Sequence, residues 1–263
     1  MVIKDKIILY KNIGETPLEC MTRFKKAFPE YGEVPMTYAG RLDPVAEGLL
    51  LCLVGEECKK KDKYLALNKE YVFEVLVGFY TDSHDLLGLV TNKIWNTKDG
   101  DSGDSRDVEH PWNLRVGRFT QEYPAFSSKT VGGRQLHELA KSGLITDEDE
   151  LPSREVEIFN FEKIGERKIK GDILLMEIIR RINLVKGDFR QEQIKDKWLE
   201  KLGDKADVSF NLLKFRVNCS SGTYIRALVR NMSKSNGVPT TVFSILRTKI
   251  GDFELSNNVV GNL

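Results

Sequence analysis

Asp43 is an acidic residue in a conformationally restricted stretch of the chain. It precedes Pro44, which fixes its own backbone angle φ and disfavours a helical conformation at Asp43. Gly40 and Gly48 allow close backbone approach on either side, and the apolar run at residues 49–54 predicts a buried strand directly afterwards. A carboxylate held in this way is a candidate nucleophile or acid/base, although Asp-Pro by itself is more simply interpreted as a turn.

Arg226 is a cation in the first turn of a predicted helix, just after the Ser- and Gly-containing residues 220–224. The positive end of the helix dipole disfavours a cation there, which suggests a fixed anion nearby. A carboxylate or an RNA phosphate would match the planar fork of the guanidinium group. The alternative is a solvated arginine, because Arg226 and Arg230 lie four residues apart on the polar face of the helix.

Residues 121–134 interleave the aromatic residues Tyr123 and Phe126 with the cations Lys129 and Arg134. Aromatic rings can stack on bases and cations can hold phosphates, so the segment is a candidate for RNA contact. Taken alone, however, the segment is better interpreted as a Gly-rich hairpin with incidental charges.

The composition limits the class of protein. The chain has 263 residues, of which 41% are hydrophobic and 30% charged, values that are ordinary for a soluble globular protein. No signal-peptide core and no apolar run of membrane length are present, and we expect a cytoplasmic protein without membrane contact. The four cysteines and three histidines show no metal-ligand spacing, which predicts reduced thiols and no metal site. Because the net charge is +1, a nucleic-acid-binding surface must be a local patch.

The elements that must position these residues begin with a strand at residues 7–10. A helix follows, with Thr16 at the N-cap, Pro17 in the first helical position and Glu19 two positions later, and Pro29 ends it.

Alternating or continuous apolar patterns predict further strands beyond the one at residues 49–54. They lie at residues 71–77, where Tyr71 opens the strand, and at residues 154–163, 172–182, 212–218 and 241–250. Helices are predicted at residues 135–142, at 190–203 with many charges, and from about residue 223, whereas the polar stretch at about 96–110 predicts a loop. The irregular order of strands and helices favours an α+β fold with a mixed, largely antiparallel sheet flanked by helices.

Taken together, several blocks resemble the TruB family of RNA pseudouridine synthases. Residues 40–48, Gly-Arg-Leu-Asp-Pro-Val-Ala-Glu-Gly, are similar to the family's Gly-x-Leu-Asp-Pro-x-Ala-x-Gly. Residues 219–226, Cys-Ser-Ser-Gly-Thr-Tyr-Ile-Arg, are similar to Cys-Ser-x-Gly-Thr-Tyr-Ile-Arg. Further similar blocks follow the family's order at residues 10–16, 69–71, 81–88, 123–140 and 246–253. The resemblance therefore spans essentially the whole chain.

The resemblance implies the fold of the pseudouridine synthase core and the isomerisation of uridine in RNA after base flipping, without a cofactor or a metal. It implies that Asp43 is the nucleophile, that Arg226 pairs with Asp43, and that Tyr71 packs on the flipped base. It implies the T-loop uridine of tRNA as the substrate and the tRNA T-arm as the partner. The residues implied in substrate binding are Tyr38 for stacking, Leu246 for the apolar wall, Asp85 near Arg226 or the base, and Lys11, Lys129 and Arg134 for RNA contact.

The chain also departs from the family pattern. Tyr38 stands where the family usually has a histidine, and the charged helix at residues 190–203 is extra. The chain stops soon after Phe253, so we expect that the C-terminal PUA-type RNA-binding module common in the family is missing. We expect one catalytic domain over residues 1–263, with an RNA-contacting segment at about 121–143, acting as a monomer.

Two alternatives remain at this point. Gly-Arg-Leu-Asp is also similar to the RluA family, which modifies other RNAs, but Pro44, Ala46 and Gly48 favour TruB. A non-catalytic RNA-binding or RNA-folding protein is the other alternative, against which the presence of both Asp43 and Arg226 argues.

Overall fold

The structure is a computed structural model that describes residues 3–91, 112, 116–146 and 149–255. In chain order its strands and α-helices are β1 (Lys6–Lys11), α1 (Pro17–Ala27), β2 (Met36–Tyr38), β3 (Ala46–Val54), α2 (Lys61–Leu65), β4 (Lys69–Val77), β5 (Tyr80–Thr81), β6 (Val90–Thr91), β7 (Gly117–Glu122), β8 (Thr130–Val131), β9 (Arg134–Gln135), α3 (Leu136–Lys141), β10 (Ser153–Lys170), α4 (Gly171–Leu184), α5 (Gln191–Leu202), β11 (Ser209–Cys219), α6 (Ile225–Asn236), β12 (Thr240–Ile250) and β13 (Phe253–Glu254). The predicted loop at residues 96–110 lies outside the described residues.

A mixed sheet organises these elements. Within the described ranges its main path has the order β1-β3-β12-β4-β11-β10-β7, with β2 added to β3 and β13 added to β12. Neighbouring strands are antiparallel except for β12 and β3, which are parallel over three residue pairs. The predicted α+β fold with a largely antiparallel sheet is confirmed.

Helix α6 packs on one face of the central strands. Its predicted apolar stripe is confirmed, because Leu228 and Val229 are fully buried in one cluster with Phe73 of β4 and Phe215 of β11. Burial of this stripe fixes the rotation of the helix about its axis and thereby the direction of Arg226 in its first turn.

Helices α4 and α5 cover a second apolar cluster that includes Leu76 of β4, Leu212 of β11 and Phe243 of β12. The charged helix predicted at residues 190–203 is confirmed as α5, and its Trp198 is fully buried in this cluster.

The strand predicted at residues 172–182 is wrong, because these residues belong to helix α4. The isoleucines of this stretch are β-branched and favour a strand locally. The buried positions nevertheless recur every four residues, at Leu174, Ile178 and Ile182, which is the spacing of one helix face. The strand predicted at residues 154–163 is confirmed, although β10 continues to Lys170.

Helix α1 begins as its sequence predicts. The Thr16 hydroxyl accepts a hydrogen bond from the backbone N–H of Glu19 at 3.1 Å, and the Glu19 carboxylate accepts one from the backbone N–H of Thr16 at 2.8 Å. This capping box satisfies two donors that the helix itself leaves unpaired. Of the helices described, none combines the length and the apolar character that a membrane crossing requires.

The rotation of α4 can be tested with two alanine substitutions. Leu174 is fully buried whereas Met176 is 68% exposed, although the two would share a face in a strand. We expect Leu174→Ala to lower the free energy of unfolding by about 2–5 kcal/mol through lost burial and a cavity. Met176→Ala should change it by less than about 0.5 kcal/mol. Urea unfolding measures both values, and similar losses for the two variants would contradict the helical assignment.

Candidate active site

Asp43 lies in a tight turn directly before β3. Its backbone carbonyl accepts a hydrogen bond from Ala46 N at 3.0 Å, and the carbonyl of Pro44 accepts one from Gly14 N at 2.8 Å. The side chain of Asp43 is 32% exposed, so its carboxylate reaches solvent from a backbone that is fixed on both sides.

The carboxylate of Asp43 forms a two-point ion pair with Arg226. Arg226 Nε lies 2.7 Å from Oδ2 of Asp43, and Nη2 lies 3.1 Å from Oδ1. Only 4% of the arginine side chain is exposed, which excludes a solvated arginine. Burial by itself lowers the pKa of Arg226, but the neighbouring Asp43 and Asp85 outweigh that effect and raise it above its ordinary value. The guanidinium therefore remains charged and orients the carboxylate.

The same guanidinium group binds two further chain segments. Nη1 donates to the carbonyl of Ser83 at 3.1 Å, and Nη2 donates to the carbonyl of Phe126 at 3.2 Å. Arg226 thus joins the Asp43 turn, the 81–89 loop and the 121–143 segment, although these lie far apart in the sequence.

Asp85 lies behind this pair as a buried second carboxylate. Its Oδ2 is 3.6 Å from Arg226 Nε, while Oδ1 accepts hydrogen bonds from Ser83 Oγ at 2.6 Å and Leu87 N at 2.9 Å. Burial raises the pKa of Asp85, and the charge of Arg226 opposes that rise. The structure therefore places Asp85 against Arg226, which is one of the two positions that the sequence suggested.

Arg247, to which no role was assigned from the sequence, is buried beside the turn that carries Asp43. It is 1% exposed, and it donates to the carbonyls of Leu49 at 2.8 Å, Arg41 at 3.1 Å and Gly40 at 3.3 Å. These contacts hold both arms of the turn that carries Asp43. The sequence did contain a sign of this role. Arg247 follows Leu246 in a predicted strand, and an arginine buried there without hydrogen-bond partners would be costly.

Lys11 does not contact solvent, so its expected contact with RNA is not available in this structure. It is fully buried, and its Nζ donates to the carbonyls of Ala46 at 2.6 Å, Asn12 at 3.1 Å and Pro44 at 3.4 Å. The physical reason is strand alternation, since Ile7, Leu9 and Lys11 all point inward from β1. Lys11 instead fixes the backbone that follows Asp43, and burial lowers its pKa to about 8.

Tyr71 and Leu246 lie beside the Asp43 turn. Tyr71 is buried in one apolar cluster with Leu42, and burial raises the pKa of its phenol. Leu246 is half-buried, and its Cδ1 lies 2.8 Å from the position that a Cβ on Gly48 would occupy. The same position lies 2.5 Å from the backbone carbonyl oxygen of Arg247, which cannot rotate away as a side chain can. Only glycine therefore fits here, and its φ of +108° favours glycine as well.

Tyr38 ends strand β2 in a half-buried position. Its ring lies 5.4 Å from the Nζ of Lys61, a cation–π distance. The ring of Tyr38 therefore packs against the protein on one side and makes a cation–π contact with Lys61.

The hairpin of β8 and β9 presents Lys129 and Arg134 to solvent. Its two-residue turn has φ angles of +56° at Gly132 and +81° at Gly133, a conformation suited to tight hairpins. The Nζ of Lys129 lies 5.2 Å from the ring centroid of Tyr123. The hairpin thus combines an aromatic ring with two exposed cations at the end of the segment that contacts Arg226.

Among the described residues, no group of three or more His, Cys, Asp or Glu side chains could hold a metal ion. The chemistry that these residues offer is that of a partly exposed carboxylate held by a buried arginine and flanked by a neutral phenol.

Comparison with known proteins gives a consistent result. Residues 31–178 match the family model described as TruB family pseudouridylate synthase (N terminal domain). The chain is 28% identical to the tRNA pseudouridine synthase B of Borreliella burgdorferi (strain ZS7), over 97% of this chain and 72% of that protein. It is also 28% identical to the protein of that name from Limosilactobacillus reuteri (strain DSM 20016), over 97% of this chain and 70% of that protein.

Solved structures share the fold. One is a chain of an H/ACA RNP bound to a substrate RNA containing 2′-deoxyuridine, with a TM-score of 0.51 and 16% identity. Another is a chain of a Cbf5-Nop10-Gar1 complex, with a TM-score of 0.54 and 16% identity. Each match covers 97% of this chain but only about half of the solved chain, at 50% and 51%.

The role of Lys11 can be tested by measuring stability against pH. Its pKa is about 8 in the folded chain and 10.5 ordinarily, so between these values the unfolded chain binds more protons and stability rises with pH. We expect Lys11→Met to destabilise the protein because buried carbonyls lose their donor. The loss should grow by about 1–2 kcal/mol between about pH 7.5 and about pH 9.5, because only the wild type gains the Lys11 contribution.

Urea unfolding of both proteins at the two pH values measures this difference. The matched control is Lys168→Met, which removes an exposed lysine from β10. A loss that stays constant or shrinks with pH would contradict the burial of a titrating ammonium group at position 11.

Proposed function

The chain belongs to the TruB family of pseudouridylate synthases, and from that membership we propose that it isomerises uridine to pseudouridine in RNA. The observation that carries the proposal is the two-point ion pair between Asp43 and Arg226, at 2.7 Å and 3.1 Å. It supplies an oriented carboxylate within the block that is similar to the family's catalytic motif.

The target uridine must leave its stack before Asp43 can reach it. In our proposal, Tyr38 stacks on a base, and Leu246 forms part of an apolar wall for the flipped uracil. Lys129 and Arg134 are exposed at the hairpin, where they can contact phosphates. Flipping costs a few kcal/mol, which stacking and hydrogen bonds in the pocket offset.

Asp43 then forms a covalent bond to the nucleotide, either at the base or at C1′ of the sugar. The N1–C1′ bond breaks, the uracil rotates, C5 bonds to C1′, and C5 loses its proton. If Asp43 is bonded to C1′, that bond breaks as C5 attacks C1′; if it is bonded to the base, the bond breaks once the new C5–C1′ bond has formed. In either route the carboxylate is restored, N1 gains a proton in place of the one that C5 loses, and the reaction is an isomerisation without net redox change. Arg226 keeps the carboxylate oriented throughout, because its other N–H groups are bonded to backbone carbonyls.

Tyr71 is the residue that we propose to pack on the flipped base and to help move the C5 proton. Burial raises the pKa of its phenol, so the group is neutral at physiological pH. A neutral phenol can donate a hydrogen bond to the uracil or pass a proton along, but it is not a standing base.

The substrate that we propose is tRNA, at the uridine of the T-loop. The support is the name of the relatives, tRNA pseudouridine synthase B, together with a match that covers 72% of the first of them. We further propose that the protein acts as a monomeric single catalytic domain on the tRNA T-arm.

Mapping pseudouridine in tRNA incubated with the purified protein tests the function directly. Asp43→Asn removes the nucleophile at nearly constant volume, so we expect product formation to vanish while RNA binding persists. The matched control is Asp62→Asn, an exposed aspartate of α2 that should retain full activity. If Asp43→Asn still forms substantial product, Asp43 is not the nucleophile. A wild-type protein that binds tRNA without forming pseudouridine would favour the non-catalytic alternative.

Arg226→Lys tests whether the planar fork matters beyond its charge. Lysine cannot bond both carboxylate oxygens and two carbonyls at once, so we expect the turnover rate to fall by about 100-fold or more. Arg216→Lys provides the comparison, because the Arg216 side chain is 43% exposed and lies 3.6 Å from the exposed carboxylate of Glu162. Near-normal turnover of Arg226→Lys would mean that the orientation of Asp43 does not depend on this arginine.

A further inference from the structure

Arg190 ends the segment at residues 185–190, which joins α4 to α5, and its side chain packs behind the Asp43–Arg226 pair. Arg190 has a φ of +62°, in the left-handed region that is unfavourable for a side chain of this size. The Gln191 amide holds the segment, because its Nε2 donates to the carbonyls of Val185 at 3.1 Å and Gly187 at 2.7 Å. A strained conformation that its surroundings hold so firmly is consistent with a role for the side chain it presents.

The guanidinium group of Arg190 bonds the carboxylate of Asp82 at two points. Nη1 lies 2.9 Å from Oδ2, and Nη2 lies 3.2 Å from Oδ1. Its Cζ lies 4.4 Å from the centroid of the Phe126 ring, within cation–π distance. The exposed fractions of the two charged side chains are only 18% and 26%, so solvent screens this pair less than an ordinary surface ion pair.

Of the two residues that Arg190 binds, one precedes a residue that contacts Arg226 and the other contacts Arg226 itself. Asp82 directly precedes Ser83, whose carbonyl accepts from Arg226 Nη1 at 3.1 Å. Phe126 itself provides the carbonyl that accepts from Nη2 at 3.2 Å. Arg190 therefore fixes, from outside, both backbone acceptors that set the plane of the guanidinium group holding Asp43.

A second contact ties the same segment to the RNA-contacting residues. Lys141 of α3 donates to the backbone carbonyl of Asp188, and its Nζ lies 3.3 Å from Oδ2 of Asp188 and 5.5 Å from the ring centroid of Phe189. Residues 185–190 thus touch the 121–143 segment at both Phe126 and Lys141.

We infer that Arg190 is a positioning residue for the reaction, which aligns the Asp43–Arg226 pair through Asp82 and Phe126. Helix α5, which we expected from the sequence to be an addition to the family pattern, thereby acts on the chemistry through the segment that precedes it. This inference rests on the proposed function. The competing interpretation is an ion pair that contributes to stability only.

Single-turnover kinetics at saturating RNA separate the two interpretations. We expect Arg190→Ala to lower the single-turnover rate constant by about 10-fold to 100-fold, because small displacements of reacting groups are costly. The dissociation constant for RNA, measured with Asp43→Asn in the background, should change by less than about threefold, since Arg190 lies behind the site. Arg190→Lys keeps the charge without the two-point contact and the flat stacking, and it should lose nearly as much rate.

The matched control is Arg180→Ala on α4. Arg180 also forms a two-point pair with a carboxylate, that of Glu177, at 2.7 Å for each contact. Within the described ranges no hydrogen bond or ion pair joins it to Asp43, Arg226 or Asp82, and its only influence near the turn is the weaker, longer-range charge of Glu47. We expect the rate constant of this variant to stay within about twofold of the wild type. Thermal unfolding of all variants shows whether each remains folded at the assay temperature.

Two further measurements distinguish a positioning role of Arg190 from a purely structural one. Adding millimolar guanidinium ion should restore part of the rate of Arg190→Ala and none of the rate lost in Arg226→Lys. Combining Arg190→Ala with Asp82→Asn should lower the rate hardly more than either change alone, because each change removes the same ion pair.

The inference is overturned if the Arg190 variants keep the wild-type rate constant while only their thermal stability falls, or if the losses in the double variant simply multiply. A wild-type protein that forms no pseudouridine would instead refute the proposed function. The single-turnover assay of the wild type gives that result before any variant is compared.

Discussion

The buried charge of Arg226 is the constraint on which the active site depends. A guanidinium group out of water is costly unless its N–H groups are bonded and a counter-charge lies close. Here the counter-charge is Asp43, and the carbonyls of Ser83 and Phe126 accept the remaining bonds. Three segments must therefore meet at one point for the charge to be tolerated, and their meeting fixes the position of the carboxylate.

Two further buried cations hold the turn that carries Asp43. Arg247 and Lys11 are both buried, and both bond backbone carbonyls rather than carboxylates. Backbone acceptors fix the path of the chain itself, so the two cations determine where the turn runs while Asp43 remains available to a substrate. The electrostatic consequence is that three buried cations lie around the turn that carries Asp43, with Asp85 as a second carboxylate against Arg226.

Local patterns in the sequence predicted most of the fold. The capping box at Thr16, the apolar stripe of α6 and the alternation of β4 each appear in the sequence of one element, so each is readable without knowing what that element packs against. The helix α4 was missed because its isoleucines favour a strand locally, whereas the cluster formed with β4, β11 and β12 rewards a helical face. Burial by neighbours that are distant in sequence decided the outcome.

The candidate site was predictable only where a motif carried it. Asp43 and Arg226 stand in blocks that resemble a known family, and the structure brings them together. The burial of Lys11 and the contacts of Arg247 and Arg190 depend on which carbonyl or carboxylate lies opposite, and those partners are distant in sequence. A single sequence contains no record of such pairings, so the second layer of the site becomes visible only in the folded chain.

The turn that carries Asp43 gains its arginine contacts late in the synthesis of the chain. Arg247, near the end of the described chain, donates to the carbonyl of Leu49, 198 residues earlier. Arg226 joins Asp43 across 183 residues. During translation the Asp43 turn therefore lacks its two arginines until residue 247 has emerged from the ribosome. Contacts of such long range form slowly, and no shorter nascent chain has an assembled site with which to act on the RNAs that surround the ribosome.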